Sequence, residues 1–133
     1  MVYLRNLTSW AMIAICFFCW WAPAHGAELE EAQLAANEGR YSDVVNLLTG
    51  VLEEKELDEA SRVVAHSNRG IAYSLLNAYA LARKDLNSAL KLNPDHALTM
   101  NHLGLLAEQV EKDYGVAADY YERASALGFS ASR

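Results

Sequence analysis

Histidine, cysteine and clustered carboxylate are the side chains of this 133-residue chain that could do chemistry. His66, His96 and His102 could hold a metal or shuttle protons, and Cys16 and Cys19 could bond or ligate. The run Glu53-Glu54-Lys55-Glu56-Leu57-Asp58-Glu59 could supply a carboxylate pair for acid–base work. Their spacing argues against each use. No two of these histidines share the i, i+4 interval of a helical zinc pair, and no cysteine follows residue 26 to complete a site. A carboxylate pair works only where burial or convergence splits the two pKa values. Here the acids lie at a helix end and a connection, broken by Lys55, and read as a solvated linker. No nucleophile elbow, phosphate loop or dinucleotide fingerprint is present. Each histidine reads as a solvated or hydrogen-bonded helix residue. The expectation is a non-enzymatic chain with no catalytic residues, no metal and no cofactor.

Residues 1–26 form a separate segment. Arg5 precedes thirteen apolar residues from Trp10 to Ala22, and Pro23-Ala24-His25-Gly26-Ala27 follows. A bilayer-spanning helix needs about 17–25 apolar residues. A basic start, a short apolar centre and small residues near its end are the marks of a secretory signal peptide. Cleavage is expected ahead of Ala27, with a cut after Ala24 as the alternative. An uncleaved inner-membrane anchor over residues 6–27 is the competing reading, because that span carries no charge. Neither Cys16 nor Cys19 follows a small residue, which argues against lipid attachment. Residues 27–133 contain no cysteine or tryptophan and hold 10 basic against 17 acidic residues, a net charge of −7. That is one small domain without disulfides and without a basic face for nucleic acid.

The elements that must position any site are read from residues 63–94, two amphipathic helices joined by a tight turn near Asn77. Small residues at Gly70 and Ala82 let the two helices cross closely, and Tyr73, Tyr79 and Leu86 fill the space around them. Ala89 leaves room for the next unit, and Asn93-Pro94 ends the second helix. The pattern recurs. Upstream, Ala32, Gly39, Tyr41, Val44, Leu48 and Val51 match Gly70, Asn77, Tyr79, Ala82, Leu86 and Ala89. Downstream, Leu103-Gly104 match Arg69-Gly70, followed by Tyr114, Ala117, Tyr121 and Ala124. The tyrosines lie 38 and 35 residues apart, so the first junction carries extra residues and the third turn about one more.

These positions resemble the tetratricopeptide repeat, whose period is about 34 residues. The third copy, through Leu103-Gly104, Ala117, Tyr120-Tyr121, Arg123-Ala124 and Gly128, also resembles a Sel1-type repeat. The resemblance implies an all-α, right-handed α-solenoid of about three helix–turn–helix repeats, near residues 27–58, 63–96 and 97–131. The first helix is expected over 28–38, with Ser42 capping the second and Asp43 beside its positive end. Asp58 or Ser61 should start the third and Asp95 cap the fifth. The third turn is expected at 111–115 and the last stop at Gly128.

In this family the first helix of each repeat lines an inner groove. The resemblance then implies a partner-binding face of Leu29, Glu30, Gln33 and Asn37 in the first unit. Ser67, Asn68, Ile71 and Ser74 belong to it in the second, and Leu98, Asn101, His102, Leu105 and Gln109 in the third. Amides beside aliphatics suit an extended or helical peptide. One subclass clamps a C-terminal carboxylate, and Asn68 matches its central asparagine. The other four clamp positions are Leu29, Gln33, Leu98 and His102, which lack the cations that chemistry requires. The clamp is therefore rejected. Asn68 remains as a backbone-binding amide, or else as a buried asparagine bonding across repeats.

The stretch Asn68–Gly104 is similar to exported bacterial tetratricopeptide adaptors, including NlpI-type lipoproteins that bring proteases to envelope substrates. The expected function is a scaffold or adaptor in the bacterial periplasm that binds a protein or peptide partner. The alternative is an envelope-complex subunit that forms a homo-oligomer or docks through an uncapped C-terminal end bearing Tyr120, Tyr121 and Phe129. Those aromatics packing inward is the competing possibility.

Overall fold

The computed structural model describes residues 24–129, and the expected leader lies outside them apart from its last three residues. Six helices follow one another: α1 (Ala24–Asn37), α2 (Tyr41–Glu53), α3 (Glu59–Leu75), α4 (Tyr79–Leu92), α5 (Ala97–Leu106, extended by a π-turn over Ala107–Glu111) and α6 (Tyr114–Ala126). Each packs on its neighbour in sequence, and α3 also touches α5. Helix–turn–helix pairs therefore stack one on the next, as repeats that contact only adjacent repeats do.

The turn inside each pair has one recurring cause. Gly39, Asn77 and Lys112 each lie two residues before a helix-starting tyrosine, and all three adopt left-handed backbone, with φ of 75°, 61° and 59°. That conformation lets the chain fold back and satisfy carbonyls at the preceding helix end. Arg40 N–H donates to Ala35 O at 2.8 Å and Ala78 N–H to Tyr73 O at 2.8 Å, each five residues back. In the third turn Asp113 N–H reaches Ala107 O at 2.9 Å, six residues back. The extra residue expected there from the tyrosine spacing is absorbed by the π-turn of α5, a common place for a single insertion. Gly128, with φ 82°, ends α6 with the same five-residue bond, Phe129 N–H to Ala124 O at 3.1 Å. The junctions between pairs differ, for Glu54 and Asn93 are extended.

Several expected caps are corrected. Ser42 lies inside α2, whose N-cap is Arg40 without a side-chain cap bond; Arg40 instead bonds Glu38 at 2.8 Å and Asp43 at 2.5 Å. Asp95 does not cap α5, because the chain leaving Pro94 makes a further turn and His96 takes the N-cap position. Asp58 caps α3, accepting from Ser61 N–H at 2.8 Å, and Asp113 caps α6, accepting from Val116 N–H at 3.1 Å. The first helix starts at Ala24 rather than residue 28. The acidic linker is also more tied down than expected. Leu57 is buried, and Arg62 donates to the carbonyls of Leu52, Glu54 and Leu57 at 3.2–3.5 Å, covering the free end of α2.

Two apolar clusters hold the stack. Val44, Leu48 and Val51 of α2 meet Ala32 and Ala35 of α1 and Ala65 and Ala72 of α3. Ala82 and Leu86 of α4 meet Leu103 and Leu106 of α5, with Ile71, Tyr73 and Tyr120 against them. Burying a leucine such as Leu48 or Leu86 contributes roughly 1.5–3 kcal/mol. The helix crossings depend on missing side-chain bulk. A Cβ on Gly70 would lie 2.9 Å from Leu86 Cγ and 3.2 Å from Ala82 O; on Gly104 it would lie 2.6 Å from the Tyr121 ring. Leu86 is fully buried and has nowhere to retreat.

Gly70→Ala is therefore expected to lose about 1–3 kcal/mol from overpacking, less up to ~1 kcal/mol regained in helix propensity. Gly50→Ala, in α2 with open space beside it, should gain roughly 0.5–1 kcal/mol. Urea denaturation of both variants checks this; a Gly70→Ala protein as stable as Gly50→Ala would contradict the close crossing.

Candidate functional site

One face of the stack carries two adjoining clefts that meet along α3. The first, about 160 Å³, lies between the first and second pairs and is floored by Ala32, Val44 and Ala72, with Gln33, Ala36, Tyr41 and Asn68 around it. The second, about 340 Å³, lies between α3 and α5 and is lined by Ser74, Asn77, Tyr79, His102, Leu105, Leu106, Gln109 and Val110. Ile71 and Leu75 line both, so they form the ridge between the clefts. Neither lining contains an aspartate, glutamate, lysine or arginine. Burial keeps His102 below the usual histidine range, so at neutral pH it too is uncharged.

The expected groove residues divide. Gln33, Asn68, Ile71, Ser74, His102, Leu105 and Gln109 line the clefts. Asn37 sits beside them, accepting from Gln33 Nε2 at 3.2 Å. Leu29 is instead half-buried against the core of the first pair, and Leu98 and Asn101 line neither cleft. Ser67 is a correction. It is buried, and its Oγ accepts a 3.0 Å hydrogen bond from the buried Thr99 hydroxyl across the second and third pairs. Its position on α3 faces the next first helix, α5, and not the open side. Among the described residues Asn68 has no hydrogen-bond partner for its amide, so it does not bond across repeats. Leu75, half-exposed on the ridge, escaped sequence reasoning. Its signal is the four-residue interval from Ile71.

Sequence reasoning also missed a buried polar joint. Asp85 of α4 is 4% exposed and accepts from Arg69 Nε at 2.7 Å, Arg69 Nη2 at 2.8 Å and His66 Nδ1 at 3.0 Å. A carboxylate only accepts, so His66 carries a proton on Nδ1. Arg69 Nη1 donates to Thr49 Oγ1 of α2 at 3.0 Å, and the guanidinium lies 5.9 Å from the Tyr73 ring centre. Three helices are thus tied by one forked guanidinium. The clue was Asp85 standing among Ala82, Leu86 and Ala89, a charge on an apolar stripe. Burial alone would push the Asp85 carboxyl up, but the bonds from Arg69 and His66 hold it below the usual carboxylate range.

His96 is engaged as well, its Nδ1 lying 2.6 Å from Thr99 Oγ1. His66 and His96 therefore serve the packing, and no group of three metal-ligating side chains converges among the described residues. Two of the aromatics offered as a C-terminal docking end, Tyr120 and Tyr121, turn inward. Tyr120 packs on the second core cluster, and Tyr121 lies against Gly104 and donates to Glu108 at 2.7 Å. Burial, with that bond, raises the Tyr121 hydroxyl to about 12.

A stack of helix–turn–helix pairs is the form of a helical repeat protein. In agreement, residues 63–96 match the tetratricopeptide repeat family. The chain is also similar to the protein named Lipoprotein NlpI homolog of Haemophilus influenzae, at 38% identity over 74 residues. That match covers 56% of this chain and 23% of the relative's length. No helix among the described residues is long and apolar enough to cross a membrane.

The polar joint makes stability depend on acid. An unfolded aspartate titrates near 3.9. With its folded value depressed, Asp85 contributes stability that is present above that pH and lost as pH falls through the folded pKa. His96 and His102, also depressed by burial, begin to erode stability once the pH drops below about 6.5. Asp85→Asn, which takes the carboxylate from the partly buried Arg69 guanidinium, should cost roughly 1–3 kcal/mol at pH 7. It should also flatten the acid limb of a stability-against-pH curve below about pH 4. Equal midpoints for variant and parent at both pH values would show that the joint carries no stability.

Proposed function

We propose that the protein is a non-enzymatic scaffold or adaptor that holds a polypeptide partner in the paired clefts along α3, in the bacterial cell envelope. The observation that carries this reading is the uncharged ridge and its clefts, with the Asn68 amide unbonded and Leu75 about half-exposed. Uncommitted amides bond the guest backbone, and the aliphatics between them seat its side chains. Catalysis has no comparable support, since His66 and His96 are committed to Asp85 and Thr99. Support for the envelope comes from the likeness to a protein named as a lipoprotein and from the apolar start of the sequence. Export by residues 1–26 as a cleaved signal belongs to the same proposal.

Photo-crosslinking residues placed at Asn68 or Leu75 in the living host should each trap the same partner protein. The same residue at Lys84 or Lys91, exposed on α4, should not. Trapping from α4 alone would move the binding face elsewhere. Leu75→Glu should abolish capture with little effect on folding, because this side chain is already half in water.

A further inference from the structure

We infer that the guest segment presents one large, uncharged apolar side chain to the cleft between α3 and α5 and a lysine or arginine to α1. This rests on the groove reading above and deepens it. The larger cleft, about 340 Å³, is at the small end of the sizes that hold ligands, with Ile71, Leu105 and Leu106 for walls. A charged side chain entering it would find no opposite charge and would lose its water. The smaller cleft, about 160 Å³ and floored by alanines, has room for main chain crossing between Gln33 and Asn68.

The charge lies at the other end of the same face. Glu30 falls three residues before Gln33 and seven before Asn37, on the side of α1 that borders the smaller cleft. Glu28 and Glu31 flank it, and none of the three has an ion-pair partner among the described residues. The five arginines among the described residues are occupied elsewhere. Arg40 binds Glu38 and Asp43, Arg62 binds carbonyls, Arg69 binds Asp85, Arg83 binds Glu111 and Arg123 lies 3.7 Å from Asp119. The face therefore runs from acid at α1, through amides, to an apolar cleft at α5. A segment with its cation and its anchor in that order complements it.

A random dodecamer display library selected against the purified full chain tests this, with enriched sequences remade as labelled peptides for anisotropy. The expected winners hold a leucine, methionine or aromatic residue at a fixed distance from a lysine or arginine. Replacing that cation with serine should weaken binding about threefold to tenfold at low salt, with the gap closing near 0.5 M salt. Glu30→Lys should weaken the cationic peptide and leave its serine form unchanged. Winners that lose binding on Leu75→Glu but carry no cation, or carry acids, would overturn the charge assignment while the groove stands. Winners indifferent to Leu75→Glu, or none at all, would remove the groove and this inference with it.

Discussion

The closeness of paired helices governs everything else in this molecule. At Gly70 the backbone of α3 comes so near α4 that a single added carbon would meet Leu86 at 2.9 Å, and the same approach recurs at Gly104 under Tyr121. Such proximity needs a small residue at the crossing, a bulky one to fill the space beside it, and a turn short enough to keep the two in register. The turn is supplied by one left-handed residue ahead of each tyrosine, at Gly39, Asn77 and Lys112. When one residue too many arrives in the third pair, α5 widens into a π-turn and the crossing at Gly104 is kept. The backbone deforms where it is cheap, and the packing does not.

Pairs that close in this way still have to be set against one another. Apolar contact alone leaves the angle between units loosely determined, because it has no direction. Directional bonds supply it at both junctions. Arg69 reaches from α3 to Asp85 of its own pair and to Thr49 of the preceding one. Thr99 reaches back from α5 to Ser67. The same two joints use His66 and His96, so two of the residues that look chemical in the sequence are spent on packing.

With the joints turned inward, the opposite side of α3 is left without charge and with the Asn68 amide unbonded, and that side carries the proposed binding face. The carboxylates of α1 beside it carry no ion pair among the described residues, whose arginines are engaged elsewhere. A surface of this kind repels anionic partners and favours guests that bring both a cation and apolar bulk.

The sequence by itself determined the helical pairs, their crossings and their turns, because those depend on residues close together in the chain. Periodicity placed Gly70 against Ala82, spacing located the tyrosines, and the 35-residue interval announced an added residue in the third turn. Composition likewise left residues 27–133 without cysteine for a metal or disulfide site. Only the tertiary structure decided which side of each first helix meets its neighbour and which meets solvent. Ser67 and Asn68 are adjacent polar residues, equivalent on inspection. One is sealed against Thr99 and the other is left open at a cleft. A rotation of about 100° per residue separates them, and the direction of that rotation relative to the next unit is set by contacts 32 residues away. Asp85 follows the same logic: its partners lie on other helices, and no local pattern could name them.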